Sequence, residues 1–249
     1  AALIIYFTAG YPDESSSRAC FEAAVDAGAD IIEFGLPFSD PMMDGPAIQA
    51  ANQQVLDAGF RIDDQLALIA SLRHLDAAKV IMTYVTIADT RGYARFADEL
   101  AAAGVSGVIL ADLPVAEASP WLVEAERAGL ATIFLASSVS TDERLDDIAA
   151  TASGWIYATG LLGVTGVNSV AHEITHGLVR RLRARTQQPI AVGIGVKDRA
   201  SAAQVAAYAD GVIVGSSVIR AAGAGTPETA PERVYELVSE LRRGVDRRE

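Results

Sequence analysis

One cysteine, Cys20, occurs among the 249 residues. That excludes an internal disulfide and fits a reducing, cytoplasmic setting. Cys20 falls among alanines and a phenylalanine in "SRACFEAAVDAG", the place of a small core residue on a helix rather than of a nucleophile. Positive charge is in deficit: 20 Lys and Arg stand against 32 Asp and Glu, a formal charge of −12. Nucleic acids and anionic membranes need a basic face, so neither is an expected partner. A phosphate is still within reach, because backbone N–H groups at helix ends hold anions locally. No apolar run approaches the roughly 18 residues that a membrane span requires. No signal-peptide pattern opens the chain, which begins Ala1-Ala2 without a methionine. A leading N-terminal segment is therefore expected to be missing.

Histidine and lysine are scarce as well. His172 and His176 are spaced i, i+4, as metal ligands can be. They lie in a basic helix, "AHEITHGLVRRLRART", without a further ligand cluster, so a solvated helix face is expected and no metal. Lys79 opens an apolar run and points to the end away from any strand-exit site. Lys197 fits a surface or phosphate-rim role. Neither favours an imine mechanism, and no Ser-His-Asp set is apparent.

What is present is a rhythm. Eight short runs rich in β-branched residues recur: "ALIIYFT", "DIIEFGL", "KVIMTYV", "GVILAD", "ATIFLAS", "GWIYATG", "PIAVGIG" and "GVIVGSS". Each is short enough for a strand buried on both faces. Amphipathic stretches such as "RFADELAAAG" separate them, several ending in Gly, as helices do. Strand plus helix eight times in this length predicts one closed (β/α)8 barrel over residues 1–249, with a short extra helix after the eighth strand. An open doubly wound sheet is the alternative.

In such a barrel the active site lies on the loops at the strands' C-terminal ends. The second run and its loop read "IIEFGLPFSDPMMDGP", Ile31 to Pro46. Alternation puts Ile31 and Glu33 on one face and Ile32 and Phe34 on the other. A carboxylate inside a barrel is unfavourable unless paired, hydrogen-bonded or protonated. Glu33 is thus either a general acid/base with a raised pKa or a buried structural acid. Asp40 fits a Ser-Asp-Pro turn. Asp44 is either the N-cap of the next helix or a second acid held across a pocket from Glu33. The sixth, seventh and eighth runs exit through glycine-rich loops, "ATGLLGVTG", "AVGIGVKD" and "IVGSSVIRAAG". A phosphate rests in such barrels where the late loops meet the extra helix. The residues alone therefore point to a phosphorylated substrate, with Glu33 and Asp44 moving protons.

At "EFGLPFSDPMMDGPAIQ" the chain resembles the alpha chain of tryptophan synthase. The resemblance continues through "FTAGYPD", "VIMTY", "ADLPVAEA", "IYATGLLGVTG", "VGIGV" and "GVIVGSSVI", along essentially the whole chain. It implies a lyase that cleaves indole-3-glycerol phosphate to indole and glyceraldehyde 3-phosphate, a retro-aldol reaction in tryptophan biosynthesis. Glu33 matches the catalytic glutamate, which protonates indole C3 and relays the proton of the neighbouring hydroxyl. Asp44 matches the aspartate that hydrogen-bonds the indole N–H and stabilises the positive intermediate. Tyr157 matches a tyrosine near the glutamate. Tyr6, Met82, Tyr84, Ile109 and Ile194 fall where the family lines its indole pocket. Gly166, Gly195, Gly215 and Ser216 match the phosphate cradle. Thr165 matches the threonine of a loop that closes against the aspartate.

The resemblance also implies a partner, a beta chain that carries pyridoxal phosphate, in an alpha2-beta2 complex; no cofactor is implied on this chain. Asp40, Asp112 and Pro114 would belong to that contact. Two departures touch it. Thr86 stands where many relatives have Asn, and Leu161 and Leu162 replace a polar pair in the sixth loop. A stand-alone lyase of the same family is the alternative.

Overall fold

Each apolar run becomes a strand. The computed structural model describes residues 1–160 and 168–246. Within them nine strands form one all-parallel sheet: β1 (Ala2–Thr8), β2 (Ile31–Gly35), β3 (Ala78–Thr83), β4 (Gly107–Leu110), β5 (Ala131–Thr132), β6 (Phe134–Ala136), β7 (Ile156–Thr159), β8 (Ile190–Gly193) and β9 (Gly211–Val214). The order is β5-β4-β3-β2-β1-β9-β8-β7-β6. The two edge strands are the halves of a single run, divided only at Ile133. β5 pairs with β4 and β6 pairs with β7, and Ile133 N still donates to Val108 O at 3.0 Å. The sheet therefore closes as a barrel of eight staves. The fifth run, one strand by its sequence, is two by hydrogen bonding, because the stagger between staves lets one neighbour end where the other begins.

Inside the barrel Ile4, Val80, Ile109, Ile133, Ala191 and Ile213 pack together with Trp155. A larger cluster, with Leu3, Ile5, Phe7, Ile32 and Phe34, fills the layer between strands and helices. The period of two along β1 and β2 is what sends successive side chains to these two layers. The helices start where the sequence supplies caps. Asp13 accepts from Ser16 N at 2.9 Å ahead of α1 (Glu14–Asp26).

Lys79 is buried at the expected far end, where Nζ donates to Leu75 O at 2.8 Å and Ala77 O at 2.9 Å. Burial pushes the Cys20 thiol up to about 12, which keeps it protonated and unreactive. The histidine pair departs from the solvated reading in part. His176 is exposed and packs on Tyr208, but His172 is half-buried with Nδ1 unpartnered. The described residues contain no group of three His, Cys, Asp or Glu fit to hold a metal. None of their helices is long and apolar enough to cross a membrane.

The extra helix after β9 is Ser216–Gly223, and a long C-terminal helix, Ala230–Val245, packs beside it. Arg233 joins the two. Its guanidinium donates to Ala221 O at 2.7 Å, Ala222 O at 2.6 Å and Thr226 O at 3.1 Å, satisfying carbonyls that a helix end leaves open. Arg233→Met is expected to cost about 1–3 kcal/mol, read as a lower urea midpoint.

Candidate active site

Glu33 sits in the middle of β2, in register between Tyr6 of β1 and Val80 of β3. It is fully buried, and neither carboxyl oxygen has a hydrogen-bond partner. Burial, and then the charge of Asp44, pushes its pKa up to about 8. The proton therefore stays on at neutral pH.

The proline-rich loop after β2 brings the second acid. Asp44 N donates to Pro41 O at 3.1 Å, and Met43 N to the Tyr84 hydroxyl at 3.0 Å. The Tyr84 ring stacks on Phe38, with centroids 4.9 Å apart. The following helix, Pro46–Asp57, has Gly45 at its N-cap and no side-chain cap. Asp44 is therefore not the cap that its sequence position allowed. Its carboxylate instead accepts from Asn52 Nδ2 at 3.2 Å, and Asn52 Oδ1 accepts from Thr8 Oγ1 at 3.2 Å. Burial raises Asp44 to about 6, opposed by hydrogen bonds from Tyr84 and Asn52. Its environment thus leaves Asp44 charged at neutral pH while Glu33 is neutral.

Both acids open into one cavity of about 210 Å3. Tyr6 and Tyr157 line it, and burial first of all holds both phenols well above their ordinary pKa. Their positions depend on glycines. A Cβ on Gly35 would collide with the Tyr6 hydroxyl, and one on Gly193 with the Tyr157 hydroxyl. On its other side the Tyr6 ring would stand 3.1 Å from a Cβ at Gly215. Met82 and Ile194 add apolar wall. Gly195, with φ +48°, Gly215 and Ser216 line it as well. There Gly215 is the N-cap of the extra helix and brings no side-chain cap, so the helix end presents N–H groups to the cavity.

Not every expected residue lines this space. Tyr84 stands behind Asp44 and holds its loop, and Ile109 lies in the packed barrel interior. Asp40 is exposed and accepts from Ser39 Oγ at 2.6 Å. Asp112 accepts from Val85 N at 2.7 Å, at the start of the helix Val85–Arg91, and Pro114 is exposed. Thr165, Gly166, Leu161 and Leu162 lie outside the described residues. Four residues of the site were not singled out from sequence for these roles: Asn52, its partner Thr8, Ser217 and Arg220. The available signals were faint, an asparagine in an alanine-rich helix and an arginine three residues beyond a serine. A larger outer groove, about 670 Å3, is bordered by Leu56, Phe60, Ile87 and Arg91. Its Arg91 is already paired with Asp63 and Glu99, and it contains no unpartnered acid, so size does not select the site.

A family model for the tryptophan synthase alpha chain matches residues 1–246. The chain belongs to that family. A relative from Streptomyces avermitilis, named tryptophan synthase alpha chain, is 44% identical over 247 residues, covering 98% of this chain and 89% of its own. One from Thermobifida fusca with the same name is 43% identical, covering 98% and 92%. Among solved structures, tryptophan synthase from Mycobacterium tuberculosis superposes with a TM-score of 0.90 at 41% identity, covering 98% and 92%. A tryptophan synthase complex from Pyrococcus furiosus gives 0.88 at 33% identity, covering 97% of each chain. The family's eight-stave barrel is the fold expected from sequence.

Proposed function

We propose that this chain cleaves indole-3-glycerol phosphate into indole and glyceraldehyde 3-phosphate, as the alpha subunit of a tryptophan synthase. One observation carries the chemistry: a buried, unpartnered Glu33 shares a cavity with Asp44, and the start of a helix without a side-chain cap lines the same cavity. Glu33, neutral at the start, gives its proton to C3 of the indole ring. The ring becomes a cation with its charge spread to N1, and Asp44, still ionised, accepts a hydrogen bond from N1–H and stabilises that charge. The Glu33 carboxylate then takes the proton of the hydroxyl on the adjacent side-chain carbon. The C–C bond breaks, its electron pair restores the aromatic ring, and the oxygen becomes the aldehyde. Glu33 ends protonated, as it began. The division of labour needs one acid that exchanges its proton and one that keeps its charge, which is the order of their pKa values. Each step is served by side chains, so no cofactor on this chain is required by the scheme.

The partner in this reading is a beta chain bearing pyridoxal phosphate, docked on the loop after β2 and on residues 112–117. Support comes from the exposure of Asp40 and Pro114 and from the similarity to the tryptophan synthase complex of Pyrococcus furiosus. Indole-3-glycerol phosphate incubated with the purified chain is expected to release indole, and adding a beta chain is expected to raise that rate. No indole under either condition would refute the lyase. Indole with no response to the beta chain would refute the subunit role.

A further inference from the structure

We propose that Arg220 is the residue that selects for the substrate's phosphate, an inference that rests on the functional reading above. Arg220 lies on the last turn of the helix Ser216–Gly223, and its exposed side chain lines the same cavity as Glu33 and Asp44. Among the described residues lining that cavity it alone carries positive charge. Nη2 reaches Ser217 Oγ at 3.4 Å, and Ser217 Oγ donates to Val196 O at 2.6 Å, on the loop after β8. The guanidinium thus reaches back along the helix to Ser217, toward its N-terminal end. Arg220 forms no ion pair among the described residues, so the rest of its donor fork is available.

Charge balance is what requires such a group. A phosphate monoester brings a charge of about −1.5 to −2 at neutral pH, into a cavity that already holds the ionised Asp44. The helix end offers roughly half a positive charge, and this helix is only 8 residues long. The backbone cradle is therefore well shaped for the anion but short of charge. One arginine adds a full positive charge and a planar fork that matches two phosphate oxygens. The cradle would hold any small tetrahedral anion. Arg220 makes the site prefer the dianion of the phosphorylated substrate over its neutral alcohol.

The test compares two ligands by titration calorimetry on the full chain: an indole carrying a phosphorylated three-carbon side chain, and the same alcohol without phosphate. Arg220→Gln is expected to weaken the phosphorylated compound about tenfold and to leave the alcohol unchanged. Retained binding of the alcohol reports an intact fold. Arg220→Lys should recover most of the loss. Added salt should weaken phosphate-compound binding more steeply in the wild type than in Arg220→Gln. If Arg220→Gln weakens both compounds equally, or keeps the wild-type preference, the inference is overturned while the lyase reading stands. A wild type that binds both compounds equally, or neither, overturns the functional reading and this inference together.

Discussion

Glu33→Gln is expected to lower turnover by about 10^3-fold, the scale of a lost general acid–base, while making the protein more stable in mild alkali. Both effects come from one fact, a carboxyl fully buried without a partner. Glutamine preserves the shape and removes the transferable proton. The stability effect has a definite sign. The folded-state pKa of about 8 lies above the ordinary 4.5, so between those values the native state binds more proton than the unfolded chain. The stability carried by the neutral acid is complete below the ordinary value and drains away as pH rises through about 8. Glutamine cannot ionise and escapes that loss. The variant's melting temperature should match the wild type near the ordinary carboxylate pKa and exceed it above the folded one. Near-normal indole production by Glu33→Gln would end its assignment as the acid.

Asp44→Asn should lower kcat/KM by about 10^2-fold, since one preorganised charge facing a developing cation is removed. It should also change the shape of the pH profile. In the wild type, activity should rise as Asp44 ionises near 6 and fall as Glu33 loses its proton near 8. Asparagine removes the acid limb. It also removes the charge that helps raise Glu33, so the alkaline limb should move to lower pH. The amide oxygen can still accept from Asn52, so the loop keeps its anchor. An unchanged profile would mean that Asp44 does not face the reacting ring.

The parts of the fold set by local chemistry were readable in the sequence. The alternation of β-branched runs with amphipathic stretches encoded eight staves, and the period of two put Glu33 inside. The glycine-rich exits that supply Gly195 and Gly215 to the cavity wall were readable because that signal also sits within a few residues. Contacts between distant segments were not readable. The contact between Thr8 and Asn52 spans 44 positions, and nothing near either residue announces the other. For the same reason Asp44 could be taken for a helix cap. Only the packing of the helix Pro46–Asp57 against β1 reveals that Asn52, not the helix end, claims its carboxylate. Tyr84 was expected in the indole pocket because the family resemblance places it there. In the structure it stacks on Phe38 and its hydroxyl accepts from Met43 N, so it braces the loop after β2. The split of the fifth run reflects stagger between neighbours, a property of the closed sheet and of no single strand.

Tyr6 is wedged between two glycines, one of them in the cavity wall. Its hydroxyl fills the space over Gly35, two positions beyond Glu33, and its ring edge lies against Gly215 at the start of the helix after β9. A single aromatic ring thus ties the position of β2 to that of the helix after β9, and a larger residue at either glycine would push it out of place. Alanine at Gly35 or at Gly215 would therefore reshape the cavity through Tyr6 without touching either acid.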